Sequence, residues 1–320
     1  MELREDMIKA VEYSIDKKEE WNTFNHKSKN YLFMFDRDFM DYHSDRFIDN
    51  SLMFYKDEEL IALLPMNKDD KQLISHGGLT YGGFITNEKM KQHTMNECFE
   101  ALKEYATGKG FESIVYKTIP HIYHSQPAEE DIYSLFINDA SVLKIEASTV
   151  VNLEKPLKMP KGRKAQISRA RREGVEVVEL TDDESLKAFI ELENSVLSEH
   201  HNTKAVHTGD EMCLLHNRFP ENIHLYAAMK DGMMIAGTII FEYDNCIHTQ
   251  YMAANEEARE IGALDLTIST VIEKYKTQKR WLDFGISTEE RGRVLNEGLI
   301  SQKEGFGGRT NVYQTYLLLL

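Results

Sequence analysis

Residues 51–65 and 224–238 carry one pattern: a run of apolar and aromatic positions, a short polar break, and a second apolar run. Each reads as two strands joined by a tight turn. The breaks share Lys-Asp, at Lys56-Asp57 and Lys230-Asp231, and the return strands share Ile-Ala, at Ile61-Ala62 and Ile235-Ala236. The elements after each hairpin also match. After the first comes a glycine-rich segment, His76-Gly-Gly-Leu-Thr-Tyr81-Gly-Gly83, and then Met95, Cys98, Phe99, Leu102, Tyr105 and Ala106 at the spacing of one helix face. Gly108 and Gly110 predict the end of that helix, and residues 111–116 a strand. After the second hairpin, residues 247–253 predict a strand, a polar loop holds Arg259 and Gly262, and Leu264, Ile268, Val271, Ile272 and Tyr275 line another helix. A strand over 281–284 comes next. Each half closes with a short helix, near 132–137 and 295–306, and with strands near 142–151 and 312–320.

This repetition predicts a duplicated α/β domain with mixed sheets. Residues 1–153 make the first module, 154–175 a connecting segment, and 176–320 the second module. Pro156, Pro160 and Gly162 are expected to keep the connection free of helix. Residues 177–201 read as a strand followed by a single helix.

Charge changes the picture in one place. The 38 Lys+Arg against 53 Asp+Glu give a net charge of −15, which argues against a protein that wraps DNA, where affinity comes from neutralising phosphates. Yet Lys155, Lys158, Lys161, Arg163, Lys164, Arg169, Arg171 and Arg172 are eight basic residues with no acidic one between them, so the remainder carries −15 − 8 = −23. That run is either an anion-binding surface, for an RNA acceptor stem or a lipid-linked diphosphate sugar, or a solvated face. The three cysteines, Cys98, Cys213 and Cys246, have no paired spacing and predict a reducing compartment. The charged amino terminus lacks the apolar core of a signal peptide, and no run approaches the roughly 20 apolar residues of a membrane span, so a cytoplasmic protein is expected. The histidines of His200-His-Asn-Thr-Lys-Ala-Val-His207 lack zinc spacing, and no metal is expected.

The order of elements, the duplication and the turn Arg259-Glu-Ile-Gly262-Ala263 between strand and helix resemble two GNAT (acyl-CoA N-acyltransferase) modules in tandem, the arrangement of the Fem-type transferases and related surface-polysaccharide acyltransferases. The family turn runs Arg or Gln, two residues, Gly, one residue, then Gly or Ala. Arg259, Gly262, Ala263 and Leu264 occupy it here, with Leu264 at the last position. The first half has no Arg-x-x-Gly between Gly83 and its helix. The resemblance therefore implies acetyl-CoA or another acyl-CoA on the second module, its pyrophosphate against those four residues at a helix start.

The resemblance also implies an oxyanion donor from the backbone of the fourth strand, which holds His248 and Tyr251. Strand parity puts His248 and Gln250 on one face and Tyr251 on the other. Asp283, beside Gly285, is expected at the carboxyl end of the next strand, and Tyr313 is a candidate to protonate a leaving thiolate. Each has a structural alternative: a hydrogen-bonded sheet histidine, a loop acceptor, a core tyrosine. Lys204 and His207 fall where the family's acceptor loop lies, Lys303 and Arg309 are candidates to flank an anionic substrate, and His76 and Tyr81 are expected to line a cleft between the modules.

The implied activity is transfer of an acyl group from acyl-CoA to a small-molecule or sugar-linked amine, such as an amino sugar. Two alternatives stand beside it. One is aminoacyl-tRNA-dependent transfer, whose enzymes commonly carry a long helical-hairpin arm in the second domain; no uninterrupted heptad segment occurs here. The other is a non-catalytic ligand-binding protein of the same fold, for which Leu264 is the supporting feature. The sequence assigns no oligomeric state.

Overall fold

Both hairpins form where the sequence predicts them, and for a backbone reason. Leu52–Lys56 pairs antiparallel with Glu59–Leu64 around Asp57 and Glu58, at φ 47° and 64°. Ile223–Lys230 pairs with Met233–Glu242 around Asp231 and Gly232, at φ 51° and 79°. Two consecutive left-handed residues give the turn whose twist matches that of the strands it joins.

The computed structural model describes residues 7–201 and 203–320; the amino-terminal start and the side chains of His200 and His201 lie outside the described residues. The chain divides into two units. One contains Met1–Glu146, Glu290–Val294 and Val312–Leu320, and the other Ala147–Glu289 and Leu295–Asn311. The sequence boundaries stand at 153 and 176; here the first unit stops at Glu146 and takes back Glu290–Val294 and most of the last strand. Residues of Arg309–Leu319 run antiparallel to Ser113–Lys117, with Tyr316 opposite Tyr116, and Leu318 is buried with Ile114 and Leu135. The core of this unit also takes Phe99 and Leu102 from the helix Gln92–Gly108.

In the second unit, Glu176–Leu180, Ile223–Lys230, Met233–Glu242 and Cys246–Ala254 form successive antiparallel pairs, and Trp281–Ile286 adds in parallel to the last. The helix Ala263–Tyr275 covers one face, burying Ile268, Val271 and Ile272 against Tyr226, Ile240, Ile247 and Leu282. On the other face lies the helix Asp183–His201, where a Cβ at Gly237 would come within 3.0 Å of the Phe189 ring. Glycine at 237 is what lets that helix approach.

Three elements depart from the sequence expectation. The basic segment is helical over Lys161–Arg172, starting directly after Pro160, where proline's fixed φ suits a helix start; Gly162 sits in the first turn. Ile167 and Ala170 hold it by packing with Ala258, Ile261, Ala263 and Leu266. The polar loop contains a short helix, Glu256–Ile261, capped by Asn255, whose side chain accepts from the Ala258 N–H at 2.8 Å. A further helix, Gly209–Arg218, starts at a reciprocal capping box of Thr208 and Glu211.

Gly262 stands at φ 79° between Glu256–Ile261 and Ala263–Tyr275, and a Cβ there would meet Gln166 backbone oxygen at 2.9 Å. Gly262→Ala is expected to cost about 1–3 kcal/mol in urea unfolding. Gly162→Ala, at a helical position with open space around the new methyl, is expected to stabilise by up to about 1 kcal/mol. Equal midpoints for the two variants would contradict this account.

Candidate active site

The parallel strands Cys246–Ala254 and Trp281–Ile286 pair over Cys246–Trp281, Ile247–Leu282 and His248–Asp283. Beyond that last pair no further register joins them among the described residues. Trp281–Ile286 shifts register after Asp283 and resumes against Ser148, with Gly285 at φ 71° in the shift. The sheet therefore opens directly past His248 and Asp283.

A second irregularity lies on the other edge of the same strand. Ile239 faces Tyr251 while Ile240 faces Thr249, so Gln250 is an extra residue left out of the ladder, a β-bulge. Opposed residues share a face, and His248 is opposite Phe241. Ile239 and Phe241 lie on one side of their strand, so the bulge brings His248 and Tyr251 onto the same face. The expectation from simple alternation, with Tyr251 opposite His248, is corrected by that single inserted residue.

His248 and Asp283 form a buried pair, 7% and 0% exposed, with Nδ1 of His248 at 3.1 Å from Oδ2 of Asp283. The other carboxylate oxygen, Oδ1, accepts from the Ser148 hydroxyl and from the Gly285 N–H at 3.0 Å. Donors on both oxygens favour the ionised carboxylate. An ionised Asp283 holds the proton of His248 on Nδ1 and makes Nε2 the basic nitrogen. Lys303, on the helix Glu297–Glu304, is buried nearby and donates to the carbonyls of Gly285 at 3.0 Å and Ile286 at 2.7 Å. Burial pushes its amine down to about 8, while the Asp283 charge acts in the opposite direction. Lys303 thus ties down the diverging strand end, and Arg309, its expected companion, is exposed with Nη1 directed at the Gly308 carbonyl.

On the same sheet face, Tyr251 Oη meets His207 Nδ1 at 2.6 Å and the His207 N–H at 3.2 Å, so His207 is buried. Burial pushes the Tyr251 hydroxyl up to about 12. Lys204, three residues earlier, is exposed. The sequence reading missed Glu193. Leu186, Phe189, Ile190 and Glu193 make a stripe at i, i+3, i+4 and i+7 on Asp183–His201, and all four are buried. Glu193 Oε2 has no hydrogen-bond partner, and burial pushes its carboxyl up to about 7. A carboxylate in an otherwise apolar stripe was the available signal.

The turn expected to hold a pyrophosphate packs against the basic helix. Gly262 and Ala263 are buried, and Gln166 of the basic helix packs on the side of Gly262 where a Cβ would stand. Asp265, in the first helical turn, bonds Arg163, and Arg169 Nη1 donates to the Glu260 carbonyl at 2.9 Å. Glu256, Glu257 and Glu260 are exposed around Arg259, and Leu264 is half-buried.

Three predicted residues belong to the first unit. Tyr313 packs edge-on to Tyr81, hydroxyls 3.4 Å apart, and Tyr81 also bonds Tyr123. His76, at φ 47°, is buried beside His43, and burial holds its imidazole well below the ordinary range. Lys117 Nζ donates to the His76 carbonyl at 2.9 Å and to that of Leu79, so the glycine-rich segment folds over a half-buried lysine. Among the described residues no group of three His, Cys, Asp or Glu side chains forms a metal-ligand set, and no helix is long and apolar enough to cross a membrane.

Residues 161–291 match the family model of the acetyltransferase (GNAT) domain. No curated protein matches the chain. Among solved structures, FemX aligns over 98% of this chain and 97% of its own, with 11% identity and a TM-score of 0.68. L-PGS from Bacillus licheniformis aligns over 96% of this chain and 92% of its own, with 16% identity and a TM-score of 0.64. A tandem GNAT protein from the clavulanic acid biosynthesis pathway aligns over 97% of each chain, with 12% identity and a TM-score of 0.52. The likeness is one of fold: a mixed α/β architecture of the tandem GNAT kind.

The Glu193 carboxyl yields a pH prediction. Unfolded, it ionises near 4.5, and folded near 7, so the folded state binds more protons between those values. Its burial therefore destabilises the fold increasingly as pH rises through that window, and fully above it. Glu193→Gln is expected to be more stable than the parent at pH 8, by on the order of 2 kcal/mol in urea unfolding, with the gap nearly closed at pH 5. A gap that does not change with pH would contradict the burial of an unpartnered carboxyl.

Proposed function

We propose that the second unit is an N-acyltransferase that joins an activated acyl group to an amine at the opening past His248 and Asp283. The observation that carries this reading is the combination, at one point of the sheet, of an oriented histidine and a bulge at Gln250. Acyl transfer needs a group to take the amine's proton and a donor for the oxyanion. The amine nitrogen attacks the acyl carbon, a C–N bond forms, and the carbonyl electron pair moves to oxygen, facing a backbone N–H freed at the bulge. His248 Nε2 takes the proton from nitrogen. The oxyanion then collapses, the bond from carbon to the leaving atom breaks with its electrons on that atom, and the imidazolium returns the proton to it. Asp283 stabilises the imidazolium meanwhile.

Of the two donor readings, acyl-CoA and an aminoacyl ester on tRNA, we take the second for this unit, on the strength of its basic helix. Lys161, Lys164, Arg169, Arg171 and Arg172 are exposed on one helix of this unit, a place for phosphates of an RNA end.

Asp283→Asn is expected to lower transfer roughly 10²–10⁴-fold in a rate assay with alanyl-tRNA and an amine panel, by releasing the His248 tautomer. Titration with acetyl-CoA is expected to show no saturable binding that Arg259→Ala weakens. Binding of alanyl-tRNA should fall steeply with salt and be lost when the five exposed basic residues are neutralised. Full transfer by Asp283→Asn would sink the catalytic reading, and Arg259-dependent acetyl-CoA binding would restore the thioester donor.

A further inference from the structure

We propose that Glu193 is the receptor for a substrate ammonium group, so that the site selects substrates carrying a protonated amine. Four observations support it. Glu193 is 7% exposed, and its Oε2 is buried without a hydrogen-bond partner among the described residues. Four residues before it, Phe189 lies against Gly237, so Glu193 shares the helix face turned to the strand that pairs with the bulged one. The Glu193 charge acts on Tyr251, which fixes the carboxyl near the sheet face that also holds His248. The segment after the helix is anchored there too, since Asn194 accepts from the Ala205 N–H at 2.8 Å and His207 bonds Tyr251.

A buried carboxylate with an empty acceptor is costly, and the cost is relieved by protonation or by a cation. No cation among the described residues does this. Burial alone accounts for the raised Glu193 carboxyl. On the elements packed against its helix, His248 is held by Asp283, Tyr251 by His207, Asp210 by Lys187 and Glu211 by Thr208, and Arg218 lies exposed at the far end of its helix. Cys213 Sγ is directed at the Asp183 carbonyl, His216 Nδ1 meets the Ile223 carbonyl at 2.9 Å, and Glu242 is held by Tyr275, Lys279 and His224. The absent partner is thus a small, positively charged donor, for which an alkylammonium has the right chemistry. Binding such a group converts Glu193 from partly protonated to ionised, so a fraction of a proton leaves the protein near pH 7 as the ammonium enters. The inference rests on the acyl-transfer reading only for what happens to the amine afterwards.

The test uses the full chain and two pairs of probes, L-alaninamide against propionamide and glucosamine against N-acetylglucosamine, in titration calorimetry. The expected result is binding of the ammonium member of at least one pair at pH 7 with fractional proton release, read from the dependence of the heat on buffer ionisation enthalpy. The neutral members should bind at least tenfold more weakly. Glu193→Gln should lose this preference and the proton release, while Glu193→Asp should keep the release with weaker binding. Equal binding of charged and neutral probes, or ammonium binding with no proton release in the parent protein, would overturn the proposal without reference to any variant. Ammonium selectivity in a protein that shows no transfer with any donor would instead retain Glu193 as a receptor and remove the catalytic reading.

Discussion

One extra residue in a strand organises the second unit. Gln250 breaks the two-residue alternation of Cys246–Ala254, and every side chain beyond it changes face relative to a regular strand. Without the bulge, Tyr251 would lie on the face covered by Ala263–Tyr275, where Ile240 and Ile247 pack. With it, Tyr251 and His248 share the face covered by Asp183–His201, and the apolar side keeps its own continuity through Met252. The neighbouring strand breaks off at the matching height, after Asp283. Two local defects in hydrogen bonding therefore fall side by side, and the polar groups gather there because the backbone leaves room.

Electrostatics then decides what those groups do. Asp283 is fully buried yet bonded by a hydroxyl, a backbone N–H and an imidazole. Lys303 supplies a buried cation in its field. A buried charge is tolerable when it is hydrogen-bonded and opposed by another. Glu193 is the contrast, a carboxyl on the same side of the sheet that lacks this support. One carboxylate is stabilised as a fixed orienting charge, the other held ready to gain or lose a proton, which is how environments separate the roles of like groups.

Much of this was legible in the sequence, and the failures have specific causes. Hairpins and amphipathic helices were readable because turn residues such as Asp231-Gly232 and stripes such as Leu264 to Tyr275 act locally. The bulge was not, since Thr249-Gln250-Tyr251 contains no glycine or other marker of an inserted residue. The basic helix was missed because only Ile167 and Ala170 are buried in it and proline and glycine at its start look like breakers. Its packing against Gly262 is a contact across about a hundred residues of chain, which no local pattern announces. The last strand's alternation says that a strand exists and nothing about which sheet receives it.

The central claim is that His248 is held by Asp283 as a base with its lone pair on Nε2. Nitrogen-15 NMR of histidine-labelled protein near pH 7.5 measures this tautomer directly. The account predicts that the His248 resonances show a proton on Nδ1 and none on Nε2, and that Asp283→Asn abolishes this preference. A His248 protonated on Nε2 alone, or one whose tautomer is unchanged by Asp283→Asn, would contradict it.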